Sequence, residues 1–124
     1  MFAWAFSERR RSRRYEVEWP GILHCLFPTL EESVGVTITE ISATGARLVL
    51  DRLQIGPYNI ALRHELSTLA LSTTLPEGSF NVPVIKIRWY DMDHETRLFR
   101  LGVAFDEMKG ESQLVLDRIL ETLK

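Results

Sequence analysis

Most of the chain consists of short segments in which apolar and polar residues alternate, separated by residues that favour turns. Residues 34–38, 46–50 and 99–105 each place apolar side chains at every second position. Successive side chains of a β-strand point to opposite faces, so a period of two predicts half-buried strands. About six such segments with turns between them predict an antiparallel sheet that closes, or nearly closes, into a barrel.

Two segments depart from strict alternation. Residues 17–27 are apolar but contain Pro20-Gly21, which predicts an edge strand or a bulge because proline cannot donate to a sheet ladder. In residues 82–90 the apolar phase slips between Val84 and Ile85, which predicts a bulge there.

The end of the chain has a different period. Leu116, Ile119, Leu120 and Leu123 are spaced as on one face of an amphipathic helix. We therefore expect a mainly β fold, a six-stranded antiparallel β-barrel with a C-terminal α-helix that covers one end or one side. The predicted organisation is an N-terminal tail at 1–7, a barrel domain at 8–109 that includes an arginine-rich arm at 8–14, and the helix at 110–124.

The charge of the chain is unevenly distributed. Its 124 residues carry a net charge of −2, yet five of the 15 Lys and Arg residues lie between Arg9 and Arg14. The rest of the chain carries the other ten basic residues together with all 17 acidic residues. A dense local positive charge on an acidic body indicates a site for an anion rather than a general nucleic-acid surface.

Length and composition restrict the class of protein. The chain is long enough for one domain with one core. It has a single cysteine, Cys25, and no apolar run of the roughly 18 residues that a membrane span needs. These features predict a cytoplasmic protein without disulfides and without membrane insertion.

A second polar feature lies between two predicted strands, in the sequence Glu40-Ile41-Ser42-Ala43-Thr44-Gly45. Its carboxylate could accept hydrogen bonds from the N–H edge of a guanine, and its serine hydroxyl could donate to a phosphate. Gly45 either permits close approach of the backbone or supplies a positive φ. Arginines of the arm could bind phosphates in a fork and stack on nucleobases.

These two features resemble the PilZ domain family. PilZ domains carry an RxxxR motif just before the first barrel strand and a [D/N]xSxxG motif farther along. Here the first reads Arg10 to Arg14, preceded by Arg9, and the second reads Glu40, Ser42 and Gly45. The segment Leu101-Gly102-Val103-Ala104-Phe105 before the closing helix is also similar to the family.

The resemblance implies a bacterial signalling domain that binds cyclic diguanylate (cyclic di-GMP), with the arm folding over the ligand. It implies ligand-binding roles for Arg9, Arg10, Arg14, Glu40, Ser42 and Gly45, and in the family an arginine at the place of Arg9 is associated with binding two stacked ligand molecules. Two residues depart from the pattern. Glu40 replaces the usual Asp or Asn, and Arg13 stands where the family often has proline. Because the chain ends soon after the domain, we expect no attached output domain.

Catalysis has little support in the sequence. His24 and Cys25 are adjacent on a predicted strand, so their side chains should point to opposite faces. The acidic segment 91–95 matches no standard metal spacing and is typical of a hairpin loop. We therefore predict no enzyme activity, no metal and no cofactor, and we interpret Trp89 as a core or barrel-end residue rather than a stacking surface.

The sequence thus predicts a cyclic di-GMP-binding domain whose arm closes over the ligand and changes a surface that an effector protein reads. Two alternatives remain open. One is a PilZ-like adaptor that no longer binds nucleotide, for which Glu40 is the support. The other is a nucleic-acid-binding module that uses the arginine arm, against which the acidic remainder of the chain stands.

Overall fold

The computed structural model describes residues 13–62, 67–108 and 110–124. In that part of the chain the elements are β1 (Tyr15–Phe27), β2 (Leu30–Ile41), β3 (Gly45–Leu50), β4 (Gln54–Ile55), β5 (Tyr58–Asn59), β6 (Thr68–Leu75), β7 (Gly78–Met92), β8 (Phe99–Glu107) and α1 (Gly110–Thr122).

Six of the strands form a closed barrel in the order β1-β2-β3-β8-β7-β6, and β4 pairs with β5 in a separate two-stranded sheet. All pairs in the barrel are antiparallel. The predicted fold class, a six-stranded antiparallel barrel with a C-terminal helix, is confirmed. Neighbours in sequence form hairpins, whereas the β3–β8 and β1–β6 pairs join distant segments and close the ring.

The core follows the alternation seen in the sequence. Most inward positions of β2, β3 and β8 are buried, with Ala46, Phe99 and Phe105 half-buried, while the residues between them are mostly exposed or half-buried. The largest fully buried side chains are Phe80, Leu23, Ile38, Ile41, Leu48, Leu71, Leu101, Leu116 and Ile119. Burying a side chain of this size stabilises the folded state by about 1.5–3 kcal/mol. The apolar residues of each strand are therefore held in the core, and only the opposite face of the strand is available for a binding site.

The irregular strands behave in part as expected. The β7–β8 register shifts between Val84 and Ile85, which confirms the predicted bulge. In β1 a register shift lies between Glu16 and Trp19, close to the predicted position. The strand as a whole is not an edge strand, because it pairs with both β2 and β6, but the β6 pairs begin only at Ile22. Pro20 is therefore tolerated, because it has no partner on the β6 side that would need its missing N–H.

Helix α1 packs along β7 and completes the core with Leu116 and Ile119, which are both buried. At its N-terminal end the Ser112 hydroxyl accepts a hydrogen bond from the backbone N–H of Asn81 at 3.0 Å. The helix therefore covers one side of the barrel, which is one of the two positions that the sequence predicted, the other being one end. Within the described ranges, no helix is both long enough and apolar enough to cross a bilayer.

Candidate ligand-binding site

The connection between β2 and β3 is a tight turn held by Ser42. The Ser42 hydroxyl oxygen accepts hydrogen bonds from the backbone N–H groups of Thr44 at 3.2 Å and Gly45 at 3.1 Å. The backbone N–H of Ser42 donates to the Gly45 carbonyl at 2.9 Å, and the side chain is 5% exposed. The serine of the second motif thus has a clear structural role, because its hydroxyl satisfies the backbone donors of the turn.

Gly45 is required by a close backbone approach. Its φ is not among the positive values, which in the described residues occur at Gly56, Gly78, Gly110 and Arg97. A Cβ at Gly45 would lie 2.4 Å from the carbonyl oxygen of Val103 on β8. The positive-φ explanation is therefore wrong, and the approach is to a neighbouring strand of the barrel.

The Glu40 carboxylate lies between two arginines. Its Oε2 accepts a hydrogen bond from Nη2 of Arg47 at 2.7 Å, and its Oε1 is 3.6 Å from Nη1 of Arg14. The Glu40 side chain is only 21% exposed, so the ion pair with Arg47 is partly shielded from solvent. The contact between Arg14 and Glu40 brings the base of the arginine arm against the second motif, which is far away in the sequence.

The base of the arm is also anchored at the start of β1. The guanidinium carbon of Arg13 lies 5.5 Å from the ring centroid of Tyr15, within the range of a cation–π interaction. Arg14 keeps 72% of its side-chain surface exposed and so remains available to an anion. Arg9 and Arg10, the other predicted arginines of the site, lie outside the described residues.

Glu40 belongs to a row of residues that crosses five strands of the barrel. The register pairs Glu16 with Glu40, Glu40 with Arg47, Arg47 with Gly102 and Gly102 with Trp89. Residues directly opposite each other in antiparallel strands share a face of the sheet. We call these five residues the cross-barrel row. It places two carboxylates, a guanidinium and, across Gly102, an aromatic ring in one line on the outside of the barrel.

The aromatic end of the row depends on a glycine. A Cβ at Gly102 would lie 2.0 Å from Nε1 of Trp89, so the indole rests directly on the glycine backbone. Trp89 is 44% exposed, and its interpretation as a core residue is therefore wrong. The bulge between Ile87 and Trp89 sets this register, which the sequence alone does not show.

Arg47 is the residue of this site that the sequence interpretation missed. It is the polar member of the alternation in β3, which identified it as outward-facing but gave it no role. A signal was nevertheless present, since an arginine two positions after the glycine of the second motif must lie on the same strand face as that glycine.

The groups considered for catalysis are separated as expected. Cys25 is buried and His24 is exposed, so they occupy opposite faces of β1. Burial raises the pKa of the Cys25 thiol to about 11, which keeps it protonated at neutral pH. In the acidic loop, Asp91 pairs with Arg100 at 2.7 Å, and the Asp93 carboxylate accepts the backbone N–H of Glu95 at 2.8 Å. Both carboxylates therefore have structural partners in the β7–β8 hairpin.

Comparisons with known proteins agree with this fold. The family model of the PilZ domain matches residues 8–122. The chain belongs to the PilZ domain family. No curated protein sequence is similar enough to count as a match.

Two solved structures are similar. The inhibitor of motility of Bacillus subtilis, MotI/DgrA, has 18% sequence identity and a TM-score of 0.61, with 94% of this chain and 54% of that chain covered. The present chain thus spans about half the length of MotI. The PilZ domain of YcgR from Escherichia coli, solved with cyclic di-GMP, has 16% identity and a TM-score of 0.55, with 93% and 91% covered. At these identities the similarity establishes the fold.

Proposed function

We propose that this domain binds cyclic di-GMP on the outer face of the barrel, between the arginine arm and the cross-barrel row. The observation that carries the proposal is the contact between Arg14 and Glu40, at 3.6 Å, which joins the two sequence motifs in one place. The YcgR PilZ domain, which shares the fold, was solved with this ligand.

The residues present suit the chemistry of a cyclic dinucleotide. Arg9, Arg10 and Arg14 supply guanidinium groups for its phosphates, since such groups form forked, charge-assisted hydrogen bonds. The partly exposed indole of Trp89 offers a face for a base, a contribution of about 1–3 kcal/mol for each stacked base.

The second motif would contribute the remaining contacts. Glu40 supplies acceptors for the N–H edge of a guanine. Ser42 and Gly45 supply the hydroxyl and the compact backbone of the turn. No group in the proposal acts as a nucleophile or a general base, so the function is recognition rather than catalysis.

Binding would be converted to a signal by ordering of the arm. Fixing the backbone of one residue costs about 1–2 kcal/mol, so ordering residues 8–14 offsets much of the gross interaction energy. A net affinity in the micromolar range, near −8 kcal/mol, is then expected. Closure of the arm would change the charge and the apolar surface that the domain presents to an effector protein in the bacterial cytoplasm. An effector that binds the ligand-bound and ligand-free forms with different affinity could then distinguish them.

One observation favours a second candidate, a protein adaptor that does not bind nucleotide. Both oxygens of the Glu40 carboxylate already face arginines, and the Ser42 hydroxyl is engaged by its own turn. A ligand must therefore compete with contacts inside the protein at both positions. An adaptor would keep these contacts as they are.

Isothermal titration calorimetry separates the candidates. The full chain is titrated with cyclic di-GMP and, in parallel, with a short single-stranded DNA. We expect saturable binding of cyclic di-GMP in the micromolar range and weak, salt-dependent binding of the DNA. Absence of binding of both cyclic di-GMP and DNA, with a folded protein, would favour the adaptor. Tight DNA binding alone would favour a nucleic-acid module.

Hydrogen exchange tests arm closure independently. With saturating cyclic di-GMP, protection should rise across residues 4–16 and 42–45, with little change in α1. Protection limited to the barrel, while the arm exchanges as fast as before, would exclude closure even if the ligand binds.

A further inference from the structure

Arg47 lies at the centre of the cross-barrel row, and one of its donors is buried without a partner. Its Nη2 donates to Glu40 at 2.7 Å, whereas its Nε–H is buried and has no hydrogen-bond partner. Buried donors in proteins are nearly always paired, so an unpaired one requires an explanation. The side chain as a whole keeps 34% of its surface exposed, so the guanidinium remains within reach of a molecule that lies on the row.

The neighbouring position in the row is an aromatic surface. The Trp89 indole rests on Gly102, and Gly102 is paired directly with Arg47. Adjacent strands are about 4.8 Å apart, so the indole covers the strand immediately beside Arg47. A purine stacked on the indole would present one of its edges toward the guanidinium of Arg47.

The donors of Arg47 select the kind of edge. A guanidinium donates two parallel hydrogen bonds to O6 and N7 of guanine, which is the most common specific contact between a side chain and a base. Adenine presents N7 beside an amino group, which is itself a donor and leaves one guanidinium N–H unpaired. A guanidinium held on one side by a carboxylate and facing an aromatic surface on the other therefore favours guanine.

We propose that Arg47 is a further ligand-binding residue, which reads the O6/N7 edge of a guanine stacked on Trp89, and that Glu40, besides its own proposed contact with a guanine, fixes the position of the Arg47 guanidinium. The proposal rests on the proposed binding of cyclic di-GMP. It assigns the phosphates to the arm and base selection to the barrel. The Glu40–Arg47 ion pair then has a purpose in recognition, because it fixes the direction of the guanidinium.

A thermodynamic cycle tests this assignment. Cyclic di-GMP and its 7-deaza analogue, which replaces N7 by a C–H group, are titrated calorimetrically into the parent protein and into Arg47→Met. The parent should bind the analogue about tenfold more weakly, as expected for one lost hydrogen bond in a bidentate pair. Arg47→Met should bind cyclic di-GMP about tenfold or more weakly than the parent and should bind both ligands equally.

Two further variants complete the test. Arg47→Lys keeps a positive charge beside Glu40 but cannot form the fork, so it should behave as Arg47→Met and serves if the methionine variant unfolds. Glu40→Gln should reduce the preference for cyclic di-GMP over the analogue, because the guanidinium loses its fixed direction. Arg118→Met, on the exposed side of α1, is the matched control and should retain the parent's preference.

The outcomes are distinct. If the parent binds both ligands equally, or if the Arg47 variants keep the tenfold preference, the assignment of Arg47 is overturned while cyclic di-GMP binding stands. If the Arg47 variants lose affinity equally for cyclic di-GMP and for the 7-deaza analogue, so that the preference for cyclic di-GMP is unchanged, Arg47 would instead contact a phosphate. If the parent binds neither ligand, the proposed function and this inference both fail.

Discussion

Two faces on the outside of the barrel share strands β1 and β2 but satisfy their polar groups differently. On the cross-barrel row, Glu40 joins Arg47 to Arg14, and the Nε–H of Arg47 has no acceptor. On the other face, His24 lies between Ser33 and Ser72, with hydrogen bonds of 3.2 Å and 2.9 Å to the two hydroxyls. We call this second surface the histidine–serine face.

The histidine–serine face is also less charged around His24. The register places Ile22 and His24 of β1 beside small residues of β2 and β6, including Gly35 and Ala70, and the next outward residue, Leu26, lies opposite Glu31. Both ring nitrogens of His24 have partners within the protein, so this face has no evident need for an anion. The comparison indicates that one barrel can satisfy its polar side chains internally on one side and leave a buried donor unpaired on the other. The two sides differ in the hydrogen-bond partners that the protein itself supplies.

The largest effect is expected from replacing Arg14, the arginine of the arm that contacts the cross-barrel row. Arg14→Ala should weaken cyclic di-GMP binding by about tenfold to several hundredfold, because a charge-assisted hydrogen bond contributes about 1.5–3 kcal/mol and the guanidinium can form two. Thermal stability should barely change, since the side chain is 72% exposed. Calorimetric titration and a melting curve measure the two quantities, and an unchanged affinity would remove the arm from the site.

Two strand glycines, one on each side, give the next largest difference. Gly45→Ala places a Cβ 2.4 Å from a backbone carbonyl oxygen, which cannot yield without moving β8, so it should destabilise the fold by about 1–3 kcal/mol. Gly35→Ala, opposite Ile22, meets nothing within 4 Å and should be neutral or stabilising by up to about 1 kcal/mol. Chemical denaturation compares them, and equal costs would contradict the close-approach explanation.

Gly102→Ala should displace the Trp89 indole from the row, because its Cβ would lie 2.0 Å from Nε1 of the ring. Loss of the stacking surface should reduce cyclic di-GMP affinity about tenfold. Tryptophan fluorescence should report the displacement, with Trp89→Phe in the parent background identifying the signal of this ring. A variant with displaced fluorescence and full affinity would show that the indole takes no part in binding.

The smallest effect is expected on the histidine–serine face. His24→Ala removes two exposed hydrogen bonds and should cost about 1 kcal/mol of stability. Cyclic di-GMP affinity should stay within about twofold of the parent, because His24 lies outside the cross-barrel row. A larger loss of affinity would mean that the two faces are coupled through β1 and β2, and the comparison would need revision.

The sequence predicted those parts of the structure that depend on local patterns. Alternation identified the inward residues of β2 and β3, and the phase slip at Val84 and Ile85 located a bulge. These predictions succeed because the side-chain period of a strand is a property of the strand itself. The spacing of the C-terminal leucines likewise predicted α1 and its buried face.

The cross-barrel row could not be predicted in this way. Its members Arg47, Gly102 and Trp89 lie on three strands, and their alignment depends on how β3 pairs with β8 and on a bulge in β7. Register between distant strands is set by closure of the whole ring, which no local pattern encodes. For the same reason the sequence left open whether Gly45 supplies a positive φ or permits a close backbone approach, and it could not identify β8 as the neighbour.

Closure of the ring also determines how another protein can recognise this domain. Each of the six barrel strands is paired with two neighbours, so none of them is an edge strand. Where a strand is paired on both sides, as β1 is over residues 22–26, a peptide cannot add its own strand, because that mode of recognition requires unpaired main-chain groups along an edge. Over those residues an effector must recognise side chains on the barrel surface. Its specificity should be alterable by single substitutions that leave the backbone, and hence the barrel, intact.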